Sequence, residues 1–350
     1  MQLLRGERRK ELLLAIVATA AVPALLLLLE AGLRVSARGS AQALSWDDMS
    51  GVYRYSEVYG WEPRPGFAAK IEGSRVTINA LGYRGREHAY QKTPGRTRVV
   101  MLGDSLAFGF RMSDEAIFAS LLDGGELEVV NLGVEGYGTD QELLKLEHEG
   151  LLYHPDVVVL NVCIENDLVD NWTSENMFHL GYPRPFFRVE NGALVEHDED
   201  VRLSSAGRLA NFLQERSLLY RAFASPAERA GLPRERWRRV KRDAERDQGK
   251  LLELACRLIR RMDERSRGAG ARLVVLLHPN RRALEAEEPL IATLTGSPEL
   301  RGIAIVDLRR EYPAPATWSD LLLDASGHLN GFGHQVAAAA IRRILAPYLT

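Results

Sequence analysis

Val99-Val100-Met101-Leu102-Gly103-Asp104-Ser105-Leu106 decides the reading of this chain. Four consecutive apolar residues leave no polar face, so they describe a strand covered on both sides, as in a parallel sheet. The strand ends in Gly-Asp-Ser, which sets a serine hydroxyl at its carboxyl end, where open α/β sheets bind ligands. Outward from it, a second apolar strand ends at Asn131 and runs into Gly133 and Gly136. A third ends near Glu165-Asn166-Asp167, and the last is followed by Asp324 and His328.

Alternation of strands and helices extends from residue 97 onward. Strands are expected at 97–102, 127–132, 156–163, 272–277 and 302–307, and helices at 114–123, 140–152, 250–266 and 332–346. Leu251, Leu254, Ala255, Leu258, Ile259 and Met262 recur at helical period, the mark of a helix with one buried face. The pattern predicts an α/β fold with a parallel sheet between two helix layers. Residues 35–96 hold turn residues and short strand-like pieces, and read as a linker and N-terminal elaboration. Residues 168–249 interrupt the alternation. Within them Asn191-Gly192 between apolar-rich runs predicts a hairpin with a type I′ turn. Leu209, Phe212, Leu213, Leu219, Tyr220 and Phe223 predict one or two amphipathic helices. Because this insertion leaves from the Asn166 loop, it is expected to cap the site.

Serine becomes a nucleophile only when a base takes its proton, and His328 is the candidate base for Ser105. A histidine base needs a partner to fix its tautomer, and Asp324 lies four residues before it, with Asp320 the substitute. The oxyanion of an acyl-transfer intermediate needs fixed donors. The Ser105 and Gly136 amides and the Asn166 side chain are the candidates. Asp104 is expected to hold the serine turn through loop amides, and His334 to serve the start of the last helix.

In these blocks the chain resembles the SGNH/GDSL hydrolase family. The matching stretches are Gly103-Asp104-Ser105-Leu106, Asn131-Leu132-Gly133-Val134-Glu135-Gly136, Glu165-Asn166-Asp167, and Asp324 through His328 with Leu329-Asn330 and Gly333-His334. The resemblance implies a three-layer, flavodoxin-like α/β/α sandwich over residues 97–350. It also implies esterase, lipase or acyltransferase chemistry without a metal or cofactor. Asn79-Ala80-Leu81-Gly82-Tyr83-Arg84 and Gly136-Tyr137-Gly138-Thr139-Asp140-Gln141 are similar to a membrane-anchored bacterial branch. Two features depart from the family: its aspartate commonly stands three residues before the histidine, and a glycine commonly stands where Glu165 is.

Composition narrows the function further. The net charge of −2 gives no footprint for nucleic acid. Two cysteines, Cys163 and Cys256, in an expected strand and helix, read as buried thiols rather than a bridge. No G-x-x-x-x-G-K-[ST], H-E-x-x-H or G-x-S-x-G pattern is present, which argues against a P-loop, a zinc site and the α/β-hydrolase elbow. Arg5, Arg8, Arg9 and Lys10 precede the uncharged, mostly apolar stretch 12–29. Residues 1–34 therefore read as a cytoplasmic tip and an uncleaved membrane anchor, which puts the rest in the periplasm or outside the cell. The expected substrate is an O-acylated, carbohydrate-like envelope compound. An acyltransferase would use the same acyl-enzyme. A non-catalytic glycan-binding or assembly protein on this fold is the third reading, disfavoured by the intact Ser105 and His328.

Overall fold

A computed structural model describes residues 19, 21–36, 45–46, 49–172, 182–199, 201–220, 242, 246–278, 284–312, 318–323 and 327–349. Asp324 and Phe223 lie outside these residues, as does most of the Arg/Glu-rich stretch 233–246. The chain divides into two compact units, 44–202 with 233–350 and 1–43 with 203–232.

The larger unit opens with two antiparallel hairpins, β1 (Tyr53–Ser56) with β2 (Gly60–Pro63) and β3 (Ala68–Ile71) with β4 (Ser74–Thr77). The central sheet follows, built from β5 (Thr97–Gly103), β6 (Leu127–Asn131), β7 (Val157–Cys163), β10 (Arg272–His278) and β11 (Ala304–Asp307). All neighbours are parallel, in the order β6-β5-β7-β10-β11. Numbered by appearance this is 2-1-3-4-5, the flavodoxin-like order, whose reversal point falls between the first and third strands. Ser105 and Asn166 leave those two strands. A third hairpin, β8 (Phe186–Glu190) with β9 (Ala193–His197), turns through Asn191 and Gly192 at φ 51° and 79°. Both positive values are what a type I′ turn requires.

The helices are α1 (Ser105–Phe108), α2 (Phe118–Leu122), α3 (Thr139–His148), α4 (Ile164–Asp170), α5 (Ser205–Arg216), α6 (Gln248–Gly268), α7 (Leu284–Gly296), α8 (Trp318–Leu321) and α9 (Gly331–Leu345). Alternate strand residues split between two cores. Val100, Leu102, Leu160 and Val275 pack with α3 and α6 on one face. Val99, Met101, Val159 and Leu276 pack with α2 and α9 on the other. That division makes three layers and explains strands that are buried at every position.

Several expectations are corrected. The single helix expected at 114–123 is broken, because Ile117 is extended (ψ 145°) between a 3-10 turn at Asp114–Ala116 and α2. Ile117 is buried against Gly109, where an added Cβ would come within 2.2 Å of it. The helix expected at 140–152 ends at His148 and gives way to a 3-10 turn at Gly150–Tyr153. Within the stretch expected to be a linker and N-terminal elaboration, Tyr53, Trp61, Ile71, Val76 and Tyr83 are buried in the same core as Val100 and Leu102. The insertion is divided. Its hairpin packs on α3 and α6, whereas residues from 203 belong to the unit that contains the N-terminal helix. Among the described residues no helix is long and apolar enough to cross a membrane. Of the stretch 12–29, only 19 and 21–29 are described.

Candidate active site

The serine turn is built from Gly103 and Asp104. Gly103 has φ 149°, and a Cβ there would come within 2.7 Å of Ala107 Cβ and 2.9 Å of Asn161 Cβ. Asp104 caps α1, its Oδ1 accepting the Leu106 N–H at 2.9 Å. Ser105 is therefore the first residue of a buried helical turn whose backbone is fixed from both sides. Asn131 fixes it further, donating from Nδ2 to Ala107 O at 2.8 Å and accepting the Gly133 N–H at 3.0 Å. Gly133 lies so close under α1 that a Cβ would meet Phe108 N at 2.7 Å.

His328 reaches the serine from the far end of the chain. Ser105 Oγ and His328 Nε2 are 3.0 Å apart. The histidine loop is pinned by an isolated bridge between Leu322 and Leu329 and by Leu323 N–H donating to His328 O at 2.7 Å. Asn330 then caps α9, and its Nδ2 donates to Asp320 O at 2.9 Å. The His328 ring lies against Phe110, centroids 4.6 Å apart. An imidazole nitrogen at 3.0 Å is within reach to take the hydroxyl proton. Asp320 is exposed on α8, its carbonyl held by Asn330. His334 is separate from this pair: its Nδ1 accepts the Phe118 N–H at 3.1 Å, and burial pushes its pKa down to about 3. It is a neutral structural acceptor.

Asn166 stands on the first turn of α4, half-exposed, and its side chain hydrogen-bonds the Asp104 carboxylate. Burial raises the Asp104 pKa, opposed by the Leu106 N–H, the His328 charge and Asn166. Asp104 thus joins the serine turn to the asparagine. Gly136 sits in a tight turn at φ 75°, half-exposed at the end of the β6 loop. That φ favours glycine.

Sequence reading missed much of what supports these residues. Arg84 has a fully buried side chain that donates to the carbonyls of Phe108 (2.9 Å), Gly109 and Met112 and pairs with Asp114 at 3.2 Å. It delivers the loop that carries Phe110. Its own turn is held by Asn79, whose Oδ1 accepts the N–H groups of Leu81 and Tyr83. Behind α4, Arg184 of the insertion pairs with Asp140 and donates to Asp170 O at 2.7 Å. It is a buried cation beside the carboxyls of Asp140, Glu142 and Asp170, whose pKa values burial raises. Below the serine, Asn161 Nδ2 donates to Leu102 O at 2.7 Å while its Oδ1 lies 2.9 Å from His278 Nε2. Among the described residues no group of three His, Cys, Asp or Glu is placed to hold a metal ion. Cys163 and Cys256 are buried thiols.

Glu135, directly before Gly136, accepts from Tyr53 OH at 3.5 Å, and Trp61 Nε1 donates to its carbonyl at 3.1 Å. Burial first, then the Asp104 charge, push its carboxyl up to about 8, against the pull of Tyr53, Arg84 and Arg111. Between pH 4.5 and 8 the folded chain holds this proton while the unfolded chain releases it, so stability falls as pH rises across that window. Glu135→Gln removes the linkage. The melting temperature of the variant minus that of the parent should therefore grow from pH 5 to pH 8; a pH-independent difference would refute the assignment.

No family model and no curated protein sequence matches the chain. Solved structures do resemble it. A GDSL-like lipase from Bacteroides thetaiotaomicron is 12% identical, with a TM-score of 0.42, over 74% of this chain and 92% of that one. A catalytic mutant of an acetylxylan esterase from Geobacillus stearothermophilus is 12% identical, with a TM-score of 0.40, over 73% and 97%. A psychrotrophic esterase from Pseudoalteromonas is 13% identical, with a TM-score of 0.39, over 72% and 98%.

Proposed function

We propose that the chain is a serine ester hydrolase of SGNH/GDSL type. The observation that carries this reading is the 3.0 Å contact between Ser105 Oγ and His328 Nε2 at the carboxyl end of the sheet. His328 takes the Ser105 proton as Oγ attacks the acyl carbonyl. The Ser105 and Gly136 amides and the Asn166 side chain receive the developing oxyanion, for which Asn166 turns from Asp104 to the substrate. His328 returns the proton to the departing alcohol, leaving an acyl-serine and a free hydroxyl compound. Water, deprotonated by the same imidazole, then releases the acid and restores Ser105. Asp324 orients the imidazole, with Asp320 as its control.

The substrate in this reading is an O-acylated carbohydrate of the cell envelope, met outside the cytoplasm by an enzyme anchored through residues 12–29. Full-length protein in nanodiscs, offered aryl esters and O-acetylated glycans with and without a sugar acceptor, tests it. Acid release that is independent of acceptor and lowered by orders of magnitude in Ser105→Ala supports the hydrolase. Acyl appearing on the acceptor instead makes it a transferase, and no turnover of any ester rejects both. In the same assay Asp324→Asn should lose most of kcat while Asp320→Asn keeps it; the reverse would move the orienting role to Asp320.

Asn166→Ala is expected to lower kcat about 10²–10³-fold, the size of one lost oxyanion donor. Steady-state kinetics check this, and a change confined to KM would make Asn166 a binding residue instead.

A further inference from the structure

The unit formed by residues 1–43 and 203–232 contains a built contact between the N-terminal helix and the insertion. Residues 21–36 are helical. Near the end of that helix the Glu30 carboxylate accepts from Ser217 Oγ at 2.8 Å, Leu218 N–H at 3.1 Å and Leu219 N–H at 2.9 Å. It caps the helical residues that begin at 218. One turn on, Arg34 pairs with Glu30 at 2.7 Å and donates to Arg216 O, the last residue of α5. The apolar N-terminal helix and the junction after α5 are thus fastened by charge-assisted hydrogen bonds.

α5 is amphipathic in an unusual sense. Gly207, Ala210, Leu213 and Gln214 are half-buried, whereas Ser205, Ala206, Arg208, Leu209, Phe212 and Arg216 are exposed. Of these six, Ser205, Arg208, Leu209, Phe212 and Arg216 recur at three- and four-residue spacing and share one face. Leu209 and Phe212 are 59% and 58% exposed at its centre, with an arginine on either side. On the helix fastened beside it, Val22, Leu25, Leu27, Leu28 and Val35 are each more than half exposed. A large aromatic and a leucine flanked by arginines match the apolar layer and anionic headgroups of a bilayer interface.

We propose that α5 lies in the headgroup–acyl boundary of the bilayer that receives residues 12–29. Leu209 and Phe212 enter the apolar layer, and Arg208 and Arg216 meet anionic phospholipid headgroups. This rests on the anchor reading above and adds a second membrane contact, made by the insertion.

The test uses full-length protein in phosphatidylglycerol/phosphatidylcholine vesicles that carry lipid-borne fluorescence quenchers. Single labels are introduced through Phe212→Cys on α5, Leu27→Cys on the N-terminal helix and Leu152→Cys, an exposed site of the catalytic unit. The native cysteines are both buried. Loss of most of the fluorescence at 27 and 212, but not at 152, is the expected result, deepening at 212 as phosphatidylglycerol is increased. Quenching at 27 with full fluorescence at 212 overturns the α5 contact and leaves the anchor standing. Full fluorescence at both overturns both. A disulfide-linked dimer through position 212, formed without quenching, gives the face to a second copy and overturns the proposal.

Discussion

Replacing Ser105 with alanine is expected to lower kcat for ester hydrolysis by orders of magnitude, to the small residual rate that binding and the oxyanion donors supply, while the melting temperature stays within a few degrees of the parent. The hydroxyl sits at the first position of α1, and the groups that fix that turn are elsewhere: the Asp104 cap, the Asn131 bridge and Gly103. His328→Ala should be nearly as severe, since the 3.0 Å contact makes one unit of the two side chains. For such a unit the losses do not add, so the double variant should match the worse single one. A double variant far below either single, in kcat measured on the best aryl ester, would contradict the coupling.

Arg84→Ala is expected to produce the largest loss of stability. Its guanidinium is fully buried, and its removal strands the carbonyls of Phe108, Gly109 and Met112 together with Asp114. Breaking a buried charged network from one side costs about 3–5 kcal/mol. For a unit of this size that is a fall in melting temperature on the order of 10 °C. The loop released by the change carries Phe110, which braces His328, so kcat should fall as well. Arg84→Lys keeps a charge but not the planar fork that spans several acceptors, and should recover only part of the loss. Thermal unfolding at pH 7 checks this, and a variant as stable as the parent would contradict it.

Arg84 also marks the limit of what the sequence discloses. Val99–Leu102 and Val157–Leu160 could be read as sheet strands because burial on both faces leaves them no polar residue. Asn191-Gly192 could be read as a turn because its positive φ values suit few residues. Ser105 and His328 were legible because each chemistry-bearing side chain stands next to a strand end or helix start. The acceptors of Arg84 are backbone carbonyls, 24 to 28 residues away. Every residue carries a carbonyl, so nothing in the letters identifies them. Trp61 and Tyr53 looked like parts of a linker because their period-two pattern is short. Their burial depends on Phe108 and Tyr137, distant residues that close over them. Arg184 was hidden likewise, since its role depends on three carboxyls gathered from α3 and α4. The spacing of Leu209, Phe212 and Leu213 predicts an amphipathic helix, but periodicity reveals a face and not which way it points, and Leu209 and Phe212 point outward.

The central claim is that Ser105 is a nucleophile activated by His328. Covalent labelling by a fluorophosphonate, located by peptide mass spectrometry, tests it most directly. The expected result is one adduct per chain on Ser105, formed far more slowly in His328→Ala. A folded, full-length protein that gives no adduct, or an adduct on another serine, would contradict the account.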